Sequence, residues 1–205
     1  MASSRATAEG LLERDDALAA LDGALAAVRA GSGRIVLVAG EAGIGKTSLV
    51  RTFSDAPGKR ARVLWGACDA LFTPRPLGPL HDIAQHAGPR LRHVLSSNSD
   101  RQSLLAVLLE ELSSPVSVVV FDDVHWADEA TLDALKYLGR RIERAPCLLV
   151  LTYRDDEVGL EHPLRVLLGD LPGRVTTRIQ LAPLSEPAVG LLAKQADRPA
   201  EGVYA

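Results

Sequence analysis

The sequence predicts an α/β fold: a doubly wound, mainly parallel five-stranded sheet flanked by helices. Three observations predict it. The runs "RIVLVA", "VSVVVF" and "CLLVLT" are continuously apolar rather than alternating, as strands buried on both faces require. Leucines at helical spacing separate these runs, so strands and helices alternate along the chain. The first run also passes directly into a glycine-studded loop, "GEAGIGKTS", which leads into helical sequence.

The elements follow in order. Leu11, Leu18, Leu21, Leu25 and Val28 mark an amphipathic helix stopped by Gly31-Ser32-Gly33, and Arg34 to Ala39 form the first strand. Leu49, Val50 and Phe53 carry a helix that ends near Pro57-Gly58, and Arg62 to Ala67 form the second strand. From Phe72 to Gly88, Pro74, Pro76 and Pro79 predict loop with one short helix. A helix follows Asp100 with Leu104, Leu105, Leu108 and Leu109 as its stripe, and Pro115 ends that region. "VSVVVFDD" is a buried strand closed by two carboxylates. Asp128 caps a helix bearing Leu132, Leu135, Leu138 and Ile142. Cys147 to Arg154 and Arg174 to Leu181 are the fourth and fifth strands, and a last helix surrounds Leu191 and Leu192. The expected organisation is residues 1–30 leading in, a core over 31–184 and a terminal segment over 185–205.

Composition narrows the function. The 205 residues suit one domain with a small appendage; 47% are hydrophobic but only 4% aromatic, so Ala, Leu and Val must do the packing. A net charge of −3 gives no basic field to attract nucleic acid or anionic lipid. Lys59, Arg60 and Arg62 read as a solvated basic turn. Cys68 and Cys147 lie far apart without metal-type spacing, which suits a reduced compartment. "MASSRATAEG" lacks an apolar leader core, and no run nears the ~18 apolar residues of a membrane span. A soluble, cytoplasmic protein is the expectation; "DRPAEGVYA" at the end has no clear type.

The glycine loop carries the chemistry. Gly40, Gly45, Lys46 and Thr47 fit G-x-x-x-x-G-K-[ST], and Gly43 adds a third flexible point. Backbone N–H groups can converge on phosphate oxygens only in conformations that side chains obstruct, and the following helix adds its positive end. Lys46 would then reach the β- and γ-phosphates, and the Thr47 hydroxyl would ligate Mg²⁺. Asp122, ending the third strand, is the expected second Mg²⁺ ligand, and Asp123 is placed to orient or deprotonate an attacking water. Taken alone, two aspartates after a strand read equally as a helix cap or solvent-facing pair. Arg154 points toward a γ-phosphate if the fourth strand adjoins the first; otherwise it pairs with Asp155, Asp156 or Glu157. His125 reads as a polar neighbour of the acids, and Trp126 as packing.

"LVAGEAGIGKTSLVRTF", "FDDVHWADEATLDAL" and "LLVLTYRDDEV" together resemble the ATPase domain of large LuxR-type transcriptional regulators, in the signal-transduction (STAND-like) branch of the AAA-related P-loop ATPases. The resemblance runs from about Leu11 to Leu192. It implies that Gly40, Glu41, Ala42, Gly43, Ile44, Gly45, Lys46, Thr47 and Ser48 form the Walker A loop, Asp122 and Asp123 the Walker B pair, and Arg154 the sensor-1 position. It sets Arg14 of "LLERDDAL" near the nucleotide base; as residues alone, Arg14 reads equally as a helix-surface side chain. "LFTPRPLGPLHDIA" also looks like the family. Relatives continue into a lid, a repeat region and a DNA-binding helix-turn-helix, whereas this sequence reaches Ala205 as the lid would begin. It offers no clear arginine finger.

The expectation is an ATP/ADP-binding domain with slow Mg²⁺-dependent ATP hydrolysis used as a switch, without direct nucleic-acid or membrane contact; self-association or a protein partner is left open. Two rivals remain at this point: a module that holds nucleotide with little turnover, and a small-molecule kinase, which "TYRDDE" and the paired aspartates disfavour.

Overall fold

In the computed structural model, residues 11–56, 61–71, 73, 75–97, 100–113 and 115–195 are described. The readings placed on "MASSRATAEG", Pro57-Gly58, Lys59, Arg60, Phe72, Pro74 and "DRPAEGVYA" lie outside them.

Helix α1 (Asp15–Arg29) leads into β1 (Arg34–Ala39), α2 (Lys46–Asp55) and β2 (Arg62–Ala67). Helices α3 (Gly78–His86), α4 (Pro89–Ser96) and α5 (Arg101–Leu112) precede β3 (Ser117–Asp122). Then come α6 (Glu129–Gly139), β4 (Cys147–Tyr153), α7 (Pro163–Asp170), β5 (Thr176–Gln180) and α8 (Glu186–Gln195). The five strands form one sheet in the order β2-β3-β4-β1-β5. Every pairing is parallel. The expected five-stranded, helix-flanked α/β architecture is therefore the one observed.

Alternate residues of the central strands feed two cores, which is why those strands are apolar throughout. Val36, Val38, Val118, Val120, Leu148 and Val150 pack with Leu21 and Leu25 of α1 and Leu49 and Phe53 of α2. Ile35, Leu37, Val119, Phe121, Leu149 and Leu151 face the layer built from α3 to α7. Both cysteines are buried and unbridged, and burial pushes each thiol up to about 12, so neither is a nucleophile at neutral pH. Asp100 and Asp128 accept bonds from the backbone N–H groups of Ser103 and Thr131, capping α5 and α6; the cap at Asp128 was expected.

Several local expectations are corrected. The first helix begins at Asp15 rather than Leu11, because Glu13 takes a left-handed conformation (φ 56°) that breaks helical continuity. Two helices went unpredicted, α4 and α7; each opens on a proline, which serves at a first helical position where its missing N–H costs nothing. Ile142 lies in a 3₁₀ turn (Ile142–Arg144) after α6 rather than within it. A second such turn, Gly173–Val175, shortens the fifth strand at its start. Leu191 and Leu192 do lie on the last helix, but they face solvent while Ala188 and Ala193 are buried. Arg62 is not a solvated turn residue: its guanidinium donates to Glu111 Oε1 at 2.6 Å and to the Glu111 carbonyl. No helix among the described residues is long and apolar enough to cross a membrane.

Candidate functional site

The candidate site lies at the carboxyl ends of β1, β3 and β4, where open parallel sheets bind ligands. The loop leaving β1 bends through Gly40 (φ 153°), Gly43 (φ 74°) and Gly45 (φ 97°), values that L side chains rarely adopt. Gly45 is the N-cap of α2, so Lys46 and Thr47 form that helix's first turn. The Lys46 ammonium is buried and donates to the carbonyls of Gly40 and Glu41, both at 2.8 Å. Burial holds its pKa below the usual lysine value, opposed by the charges of Asp123, Asp156 and Asp122.

Across from α2, Asp122 closes β3. Its carboxylate accepts the Thr47 hydroxyl at 3.0 Å and the Thr152 hydroxyl at 2.5 Å. The Thr152 oxygen in turn accepts the Asp123 backbone N–H at 2.8 Å. One fully buried hydroxyl on β4 thereby orients both aspartates. Asp123 has a left-handed backbone (φ 53°), which aspartate tolerates better than most residues. Burial first, and then the neighbouring Asp122 charge, raise the Asp123 pKa; His125, Lys46 and Arg154 pull the other way. A carboxylate so placed is a stronger proton acceptor than a free aspartate.

A cavity of about 260 Å³ is lined by Gly43, Gly45, Lys46, Thr47, Asp123 and Arg154, with Ser48 at its rim. A second, of about 220 Å³, lies beside the same loop between Arg14, Glu41, Ala42, Ile44, Pro183, Leu184 and Val189. Gly43 lines both. The first cavity is bordered by charged and hydroxyl side chains, and the second mixes the charged Arg14 and Glu41 with apolar side chains.

The predicted residues thus converge, with two revisions of detail. Arg14 is buried rather than a helix-surface side chain, donating to the carbonyls of Glu13, Ala182 and Ile44 at 3.0, 2.9 and 3.3 Å. Glu13 beside it accepts the Ser185 backbone N–H at 2.8 Å and also its hydroxyl, which hold the Glu13 carboxyl below its ordinary range. Arg154 lines the charged cavity and is also paired with Glu157 at 2.5 Å. His125 is buried, and its Nδ1 accepts the Arg154 backbone N–H at 3.4 Å. Thr152 escaped the sequence reading, although a lone hydroxyl in a strand buried on both faces must find a partner. Glu157 is the one of the three acids named as possible partners of Arg154 that pairs with it.

Thr47 and Asp122 present a hydroxyl and a carboxylate to one point, hard oxygen donors of the kind Mg²⁺ takes, and the pairing fits a metal that shares its remaining positions with phosphate and water.

A parallel sheet in this order, with a phosphate-type loop after β1 and a carboxylate closing β3, defines a P-loop nucleotide-binding α/β domain. Residues 10–151 match the AAA ATPase domain, and the chain belongs to that family. Among solved structures it is similar to Cdc6p from Pyrobaculum aerophilum, with 20% identity and a TM-score of 0.66 over 96% of this chain and 52% of that one. It is also similar to a Walker-type ATPase of Pyrococcus abyssi, with 19% identity and a TM-score of 0.58 over 93% of this chain and 61% of that one. Both likenesses concern the fold, and the chain spans only 52% and 61% of their lengths. No curated protein sequence matches the chain.

Proposed function

We propose that this chain is the nucleotide-binding core of a regulator of the LuxR-type, STAND-like kind, hydrolysing ATP slowly to ADP and phosphate and using the γ-phosphate as a switch. The observation that carries the reading is the shared loop: a charged cavity and one of mixed polarity meet at Gly43, and the carboxylate of Asp122 stands 3.0 Å from the Thr47 hydroxyl.

In this reading the amides from Glu41 to Ser48 cradle the phosphates, and Lys46 exchanges its two carbonyl partners for phosphate oxygens. Arg14 sets the wall against which the base rests. Thr47 and Asp122 would hold Mg²⁺, whose chemistry is to neutralise charge on the β- and γ-phosphate oxygens. Asp123 accepts a proton from the attacking water, its affinity raised by burial. Arg154 faces the γ-phosphate, so its contacts differ between ATP and ADP and can bias a segment downstream. A turnover far below that of a complete site is expected if an arginine finger comes from elsewhere, since that group alone accounts for about 10³–10⁵ in rate.

The test is nucleotide binding and phosphate release together. Lys46→Ala is expected to weaken ATP binding at least about a hundredfold, whereas Asp123→Asn keeps binding and loses release. Unchanged binding in Lys46→Ala removes the loop from the mechanism. Tight ATP binding without release in the unmodified protein would select the rival reading, a module that holds nucleotide; Arg154's engagement by Glu157 speaks for that rival.

A further inference from the structure

Arg154 is held from three directions. Its guanidinium donates to Glu157 Oε1 at 2.5 Å and lies 4.7 Å over the Trp126 ring, while its backbone N–H goes to His125 Nδ1. Glu157 is the hub: its other oxygen accepts Trp126 Nε1–H at 3.2 Å and stands 3.5 Å from His125 Nε2. Because Nδ1 of His125 accepts a hydrogen bond, the proton of the neutral ring sits on Nε2. That Nε2–H is fully buried and has no hydrogen-bond partner. Burial also lowers the His125 pKa, which keeps the ring neutral. Buried donors are almost always satisfied, so one left open and aimed at a carboxylate just beyond bonding distance marks a second position for that carboxylate. His125 Nδ1 lies 3.9 Å from Asp123 Oδ1, so the ring also abuts the candidate base.

We propose that Glu157 is a two-position latch on Arg154: in one position it occupies the guanidinium, and when a nucleoside triphosphate draws Arg154 toward its γ-phosphate, the carboxylate closes onto Nε2–H of His125. The proposal rests on the reading that Arg154 faces the γ-phosphate. Glu157 is a positioning residue, touching nucleotide only through Arg154. Its removal makes the triphosphate easier to bind, because no competing ion pair has to break, and leaves the diphosphate alone. The nearby Asp156 also raises the Arg154 pKa through its charge but makes no bond to it, so Asp156→Asn separates a charge effect from the latch.

The experiment measures affinities for a non-hydrolysable ATP analogue and for ADP, with Mg²⁺, in the full chain and in Glu157→Gln, Asp156→Asn, Trp126→Phe and Arg154→Ala. The expected result is a rise in the triphosphate-to-diphosphate affinity ratio of about three- to fivefold in Glu157→Gln, the range of an exposed ion pair. Trp126→Phe, which removes one donor to Glu157, gives a smaller rise, and Asp156→Asn gives none. In a Trp65→Phe background, Trp126 fluorescence should respond to the triphosphate analogue but not to ADP, and Glu157→Gln should abolish that response. Equal rises in Glu157→Gln and Asp156→Asn, or no rise in Glu157→Gln while Arg154→Ala lowers the ratio, would overturn the latch and leave the function reading standing. An unchanged ratio in Arg154→Ala would overturn the γ-phosphate reading itself, and the latch with it.

Discussion

The middle of the sheet and its edges are held by different forces. In β1, β3 and β4 every residue from Ile35 to Ala39, Ser117 to Asp122 and Cys147 to Tyr153 is buried. The edge strands are only partly buried: Val63 of β2 is 37% exposed, and Thr177, Arg178 and Gln180 of β5 face solvent. Where apolar burial is thin, polar anchors replace it. Arg62 at the start of β2 is tied to Glu111 of α5, whose carboxylate also accepts the Gly88 N–H at 2.9 Å. The candidate-site residues, from the loop after β1 to Asp122 and Thr152, ride on the strands that cannot shift without opening both cores. The second cavity lies nearer the edge, beside β5, and Arg14 and Glu13 stitch its surroundings together by bonds to segments up to 172 residues away. Accuracy is concentrated where burial is complete.

Truncation is the strongest way to break this comparison. Phe121→Ala, at a fully buried site in β3, is expected to cost about 3–5 kcal/mol of stability by chemical denaturation, against no more than about 0.5 kcal/mol for Val63→Ala on β2. Comparable losses at the two positions would show that the edge is packed as tightly as the centre.

A smaller effect sharpens it. Thr152→Val keeps the shape of β4 but strips the hydroxyl from Asp122 and from the Asp123 N–H, both buried or half-buried. The expected loss is about 1–3 kcal/mol, together with weaker Mg²⁺-dependent nucleotide binding. A variant as stable as the parent, with unaltered binding, would make that hydroxyl incidental.

At the edge, Glu111→Gln should cost about 1 kcal/mol near neutral pH, a value kept low because the pair is partly exposed. Burial pushes the Glu111 carboxyl up, but the Gly88 N–H and the Arg62 guanidinium outweigh it and leave the pKa below the ordinary value. Its contribution is therefore complete above the unfolded-state pKa of about 4.3 and is lost as pH falls through the lower folded value. Denaturation at neutral pH and near pH 3 should show the gap between parent and variant closing in acid; a constant gap would mean that the ion pair does not hold the edge.

The same contrast explains what could be read in advance. The central strands were legible because burial on both faces leaves an unbroken apolar run, and the loop because its conformation demands glycine at fixed positions. β1, which carries the loop, begins and ends where expected, and so does the edge strand β2. Helices α4 and α7 were hidden by prolines that read as stops but act as starts. Arg14 was ambiguous because its partners, Ala182 and Ile44, lie far along the chain. The Arg154–Glu157 pair was among the readable alternatives, but its contacts to Trp126 needed β3 and β4 to be neighbours and the turns after both to meet, which no local pattern encodes. Thr152 alone left a readable trace, one hydroxyl among apolar neighbours.

Whether the third strand's closing acid works with the second helix's threonine can be measured by calorimetric titration of ATP into the full chain and into Asp122→Asn, each with and without Mg²⁺. The account predicts that Mg²⁺ tightens ATP binding in the parent by about tenfold or more and does little in the variant, while the two bind ATP alike without the metal. An undiminished Mg²⁺ effect in Asp122→Asn would contradict it.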